Sequence, residues 1–136
     1  MRITSRKRKS AFIEASLVEA RKLAIGHLIA GAIVTATPRN VIRKWLREEA
    51  ISHHTVALWR LTGIRGMALG VGGLMACKNG TLATQQWLRI VALADAGEAY
   101  LRILDRAYMP HMKLLDAVSS AIVVWRQLVL AEKLSE

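Results

Sequence analysis

Asp95, Glu98, Arg102 and Asp105 follow one another at spacings of three, four and three residues, which sets them in one stripe along a helix. Such a row of carboxylates and a guanidinium can hold ion pairs, carry a proton or grip a polar solute. Glu98 and Arg102 stand at i,i+4 and can pair within their own helix, so Asp95 is the acid that needs a partner from elsewhere. Arg65, set inside the glycine-rich apolar run of residues 61–73, is the cation placed to answer it. The candidate polar site is therefore Arg65, Asp95, Glu98 and Arg102, with an expected contact between Arg65 and Asp95.

Little else in the chain has the spacing of a reactive centre. Ser119 and Ser120 have no histidine near them in sequence to act as a base. The glycines fit neither GxGxxG nor GxxxxGK[ST], so no dinucleotide or phosphate loop is expected. Cys77 is the one cysteine; it can form no internal disulfide, gives no metal-site spacing, and is expected to pack as a small apolar residue. His27 lies among small residues and reads as a hydrogen-bonded packing residue. His53 and His54 are adjacent and would point in different directions on a helix. No catalytic residue, metal ligand or cofactor is assigned, and the balance is against an enzyme.

The elements that must position the polar stripe are helical and apolar. Hydrophobic residues make up 53% of the 136, while the formal net charge is +10. A basic tail would be charged but poor in apolar residues; this chain has both, which fits a cationic membrane protein whose basic residues lie against anionic headgroups. The glycines argue the same way. In water each glycine inside a helix costs about 1 kcal/mol relative to alanine, whereas a bilayer enforces the helix and small residues then let helices approach closely. Gly63, Gly66 and Gly70, the last two a GxxxG pair, are expected to form a helix-packing face.

In order, residues 1–10 form a basic arm expected to be solvated and disordered. It lacks the apolar core of a secretory signal and is expected to belong to the mature protein. Residues 11–131 form one helical membrane domain, and 132–136 a polar tail. The apolar segments are 23–37, 56–77, 82–104 and 114–131, with a turn at 78–80 and a loop at 106–113. The first is short for a straight span of about 20 residues and borrows length from the helix before it. After Pro38, residues 38–50 put Val41, Ile42, Trp45 and Leu46 on one face and Arg39, Arg43, Lys44 and Arg47 on the rest. That is the pattern of a short amphipathic helix in the membrane interface, with Trp45, Arg43 and Lys44 at headgroup depth. The fold class expected is all-α, a four-helix membrane bundle carrying this interfacial helix.

A Pro-Arg at the end of the first segment, the run Gly63, Arg65, Ala68, Leu69, Gly70 entering the second, and Asp95 within Ala-Leu-Ala-Asp-Ala of the third resemble small four-helix membrane proteins of unknown function in the DoxX-like group. The resemblance covers about residues 23–131. It implies a multi-pass membrane fold and brings no established activity.

The function expected is that of a small cationic integral membrane protein with a structural or accessory role, acting through partner helices or as a homo-oligomer. Two alternatives stand beside it. One is a transporter or redox-enzyme subunit with a polar site at Arg65, Asp95 and Glu98. The other is a soluble basic bundle that binds nucleic acid or an acidic partner; the charge favours it, but the aromatic-poor, glycine-rich second segment does not, so nucleic acid is not the expected partner. The N-terminal cations favour that end in the cytoplasm.

Overall fold

The computed structural model describes residues 2–46, 52–106 and 108–135, with side chains from Lys9 onward. The chain is all-α. Five helices pack together: α1 (Arg2–Ala36), α2 (Arg39–Ile42), α3 (His53–Asn79), α4 (Thr81–Leu104) and α5 (Pro110–Lys133). Four are long and α2 is a single turn. No strand forms among the described residues; one antiparallel bridge joins Leu46 to Tyr108.

Local chemistry sets most of the boundaries. α1 begins at Arg2, so the helix runs through most of the basic arm, as arginine and lysine, both good helix formers, allow. It ends before Pro38, which has no N–H to continue the ladder. Near that end the Thr35 hydroxyl donates to Gly31 O at 2.8 Å and the Thr37 hydroxyl to Ile33 O at 2.7 Å. Ser52 caps α3: its hydroxyl accepts from Thr55 N at 3.1 Å, and the Thr55 hydroxyl accepts in return from Ser52 N. α3 and α4 are joined by Gly80 alone, at φ 106°, a left-handed conformation that favours glycine. Pro110 does not punctuate a loop, as expected at 106–113, but opens α5 at its first turn, where the missing N–H is harmless.

The expected interfacial helix over 38–50 is also corrected. Only one turn, α2, is helical, followed by a turn to Leu46, and residues 47–50, Arg47 included, lie outside the described residues. Trp45 O accepts from Met109 N at 3.2 Å, and Leu46 bridges to Tyr108. These contacts draw the chain across to the start of α5. Ile42 and Leu46 are buried, while Arg43 and Lys44 stay exposed.

The long helices run up and down in alternation. α1 lies antiparallel to α3 and nearly touches it. A Cβ on Gly31 would sit 2.5 Å from both Gly63 O and Met67 N, and one on Gly70 would sit 2.7 Å from Ala24 O. Gly66 meets Gly31 and Gly63 meets Thr35, so all three glycines of the expected packing face lie against α1. α4 pairs with α5 in the same antiparallel sense. The apolar core, including Ala20, Ala24, Ala76, Trp87, Leu88, Val91 and Leu130, fills the half of the bundle near the Gly80 turn. Trp87 occupies the space that Gly73 leaves open, and its indole N–H donates to Leu69 O at 3.0 Å.

By length and hydropathy α5 is the one helix among the described residues apolar enough to cross a membrane, with only 17% of its most apolar window buried in the bundle. α3 and α4 are interrupted by Arg60 and Arg65, and by Arg89, Asp95, Glu98 and Arg102.

Candidate functional site

The other half of the bundle is polar inside. α4 turns three charged side chains inward, toward α1, α3 and α5. Glu98 accepts from Arg65 of α3 and from Arg102, one turn along its own helix. Arg102 also donates to Asp116 of α5, Nη1 to Oδ1 at 2.9 Å. Asp95 accepts through Oδ2 from the Gln127 amide at 2.8 Å, and the His27 ring of α1 lies 3.4 Å from the same oxygen. Gln127 Nε2 is in turn 3.2 Å from His27 Nε2. Two polar clusters along α4, His27–Asp95–Gln127 and Arg65–Glu98–Arg102–Asp116, thus tie the four long helices together.

The expected Arg65–Asp95 contact is corrected here: Arg65 pairs with Glu98. Three residues along a helix is a rotation of about 300°, so Glu98 faces about 60° away from Asp95. That difference turns Glu98 toward α3 and leaves Asp95 facing α1 and α5. The pairing within α4 between Glu98 and Arg102 is present, and Asp95 does find its partners on other helices. Asp105 lies past the last turn of α4 in extended backbone and is exposed.

His27, Asp116 and Gln127 complete the clusters, and only His27 had drawn attention by its surroundings. Asp116 and Gln127 are eleven residues apart, three helical turns, and so share a face. That was the available signal. It was masked because a single aspartate and a glutamine, so widely separated, make no recognisable pattern. Both are buried, and each has one unsatisfied oxygen: Asp116 Oδ2 and Gln127 Oε1 have no hydrogen-bond partner.

Beside the clusters lies a cleft of about 340 Å³, a size in the range of small-molecule sites. His27, Arg65, Asp95, Glu98 and Arg102 form its polar wall, and Ala30, Val34, Leu69 and Val123 its apolar one, with Ser120 between. α1 meets α5 where Lys133 lies over Phe12, Arg126 reaches Glu19 and Gln127 reaches His27; beyond His27, Ala30 and Val34 of α1 and Ser120 and Val123 of α5 line the cleft.

At the far end of the bundle an aromatic trio closes the connection between α2 and α5. Trp59 meets Trp45 edge-on at 6.1 Å and stacks on Tyr108 at 6.4 Å. Burial pushes the Tyr108 phenol above its ordinary range, against the opposing pull of the Arg102 guanidinium. Among the described residues no group of histidine, cysteine and acidic side chains is arranged to hold a metal ion. Comparison with protein-family models, with curated proteins and with solved structures finds no match to this chain.

Proposed function

We propose that this chain is a multi-pass integral membrane protein in which the polar clusters join the helices at mid-depth, a structural or accessory role. One observation carries the reading: the bundle is apolar outside and ionic inside. Ile25, Ile29 and Ile33 of α1, Leu61, Ile64 and Val71 of α3, Ile90, Leu93 and Leu101 of α4, and Leu115, Val118 and Ile122 of α5 all face outward. In water such a surface would be a severe liability. In a bilayer it is the expected one, and inward-facing, mutually paired charges are the expected interior.

Exposed or half-buried basic residues bracket the band on each long helix: Lys22 and Arg39, Arg60 and Lys78, Arg89 and Arg106, Lys113 and Arg126. Between them the charges that reach the surface are Arg65, its side chain 40% exposed, and Asp105, next to Arg106. At about 1.5 Å per residue the band is about 18 Å tall on α5 and about 24 Å on α1. The bracketing side chains can extend along the bilayer and place their charges at the headgroups, where anionic lipids are the partner. The end holding the basic start of α1, with Arg21, Lys22, Lys78, Arg89 and Lys133, is assigned to the cytoplasm by the excess of cations there.

Extraction decides the matter. The expressed protein is expected to stay with the membrane through carbonate washing and to require detergent for release. Recovery in the soluble fraction without detergent would overturn the reading, and salt-dependent DNA binding by that soluble form would replace it with a nucleic-acid role. The cleft supports a second reading, in which the same clusters line a site for a small solute.

A further inference from the structure

The two clusters are charged differently. In one, the guanidiniums of Arg65 and Arg102 answer the carboxylates of Glu98 and Asp116. Asp95 receives no guanidinium, only the neutral Gln127 amide and the His27 ring. An uncompensated charge away from bulk water is costly and draws a counter-charge.

We propose that the cleft binds a small organic cation, a primary ammonium on an apolar body, with the ammonium on Asp95. Two further observations point to this class. The guanidiniums in the wall are already turned onto Glu98 and Asp116, which leaves the Asp95 carboxylate as the acceptor for the three N–H donors of an ammonium. Finally, Ala30, Val34, Leu69 and Val123 line the rest of the 340 Å³, which suits a hydrocarbon or aromatic body. The cleft between α1 and α5 gives such a molecule a lateral way in. Ala30 and Ser119 stand exposed at its rim.

This assignment goes beyond the membrane reading, and partitioning and binding are measured separately. The full chain, in nanodiscs of zwitterionic phosphatidylcholine, is titrated calorimetrically with benzylammonium, benzyl alcohol and phenylacetate, against empty nanodiscs. The three probes share a ring and differ in charge. Benzylammonium is expected to bind at least about tenfold more tightly than benzyl alcohol, since the charge term adds to the same apolar burial, with phenylacetate weakest. Asp95→Asn is expected to erase the cation's margin while benzyl alcohol binding persists, which shows that the variant is folded. Glu19→Gln, which removes a surface acid outside the cleft, is expected to leave the margin intact. Should Asp95→Asn fail to fold, Ala30→Phe at the open rim tests the location instead, by weakening benzylammonium binding. Phenylacetate binding as tightly as benzylammonium, a margin that survives Asp95→Asn, or binding unmoved by Ala30→Phe would each overturn the proposal.

Discussion

The two halves of the bundle are built from the same four long helices and solve the packing problem in opposite ways. Near the Gly80 turn the helices meet on alanines, on Gly70 and Gly73, and on one large side chain, Trp87, seated between Gly73 and Leu69. Toward the α4–α5 connection the same helices carry His27, Arg65, Asp95, Glu98, Arg102 and Asp116 inward. Small residues let the helices of the first half close on one another around Trp87. Long charged side chains hold the second half at the length of their hydrogen bonds, and a cleft remains beside them. Dispersion packing thus seals the space around the tryptophan, and the ion pairs leave theirs open.

Removing Trp87 attacks the sealed half most directly. Trp87→Ala is expected to cost about 3–5 kcal/mol, read by denaturant unfolding in detergent; a loss below about 1 kcal/mol would mean that the half is not locked by its tryptophan. In the open half the largest effect is expected at Arg102, which bridges Glu98 and Asp116. Arg102→Gln leaves Asp116 without a cation and Glu98 with Arg65 alone, and a buried pair broken in this way costs about 3–5 kcal/mol. Arg102 keeps a relative exposure of 30%, so about 2 kcal/mol is expected.

The pairing itself can be sharpened by double-mutant cycles. Arg65→Ala with Glu98→Ala should show a coupling of about 1 kcal/mol, while Arg65→Ala with Asp95→Ala should add to within about 0.5 kcal/mol. The reverse result would restore the contact expected from sequence. The smallest effect belongs to the surface pair at the sealed end. Lys22, hydrogen-bonded to Glu19 at 2.6 Å, holds the Glu19 carboxyl below its ordinary value of 4.5. Because the folded value is the lower one, the pair supports the fold above that ordinary value and loses its contribution as pH falls through the folded one. Comparing melting temperatures of the chain and its Glu19→Gln variant across that acid range should show a small difference at neutral pH that vanishes on acidification.

Much of this arrangement was legible in the chain. Pro38, the small residues around Gly31, the Gly63–Gly66–Gly70 face and the stripe on α4 each announce themselves by type and spacing. The stripe even showed that Asp95 needed a partner from another helix. What spacing along one helix does not give is the rotation of that helix against its neighbours. Asp95 and Glu98 are both within a turn of the level of Arg65, and only the packing of α4 between α3 and α5 decides which carboxylate the guanidinium meets. Gln127 was hidden for a related reason: it is a neutral residue on an apolar helix, and its role exists only beside His27, a hundred residues earlier. The segment after Pro38 misled because its amphipathic pattern was real while its length was not. Contacts from Met109 and Tyr108 end the helix that the pattern alone would have continued.

The one-residue reversal at Gly80 also implies an order of assembly. The Trp87 seat closes a loop of only 18 residues, the Arg65–Glu98 pair one of 33, and the His27–Gln127 contact one of 100. Loop-closure entropy rises by about 0.6 kcal/mol for each doubling of loop length. The α3–α4 hairpin can therefore form as soon as both helices exist, before α5 has been synthesised, and α1 can already lie against it through the glycines. Glu98 has both its arginines by then, but Arg102 and Asp95 must wait for Asp116 and Gln127 of α5, so the centre of charge is the last part of the bundle to be enclosed.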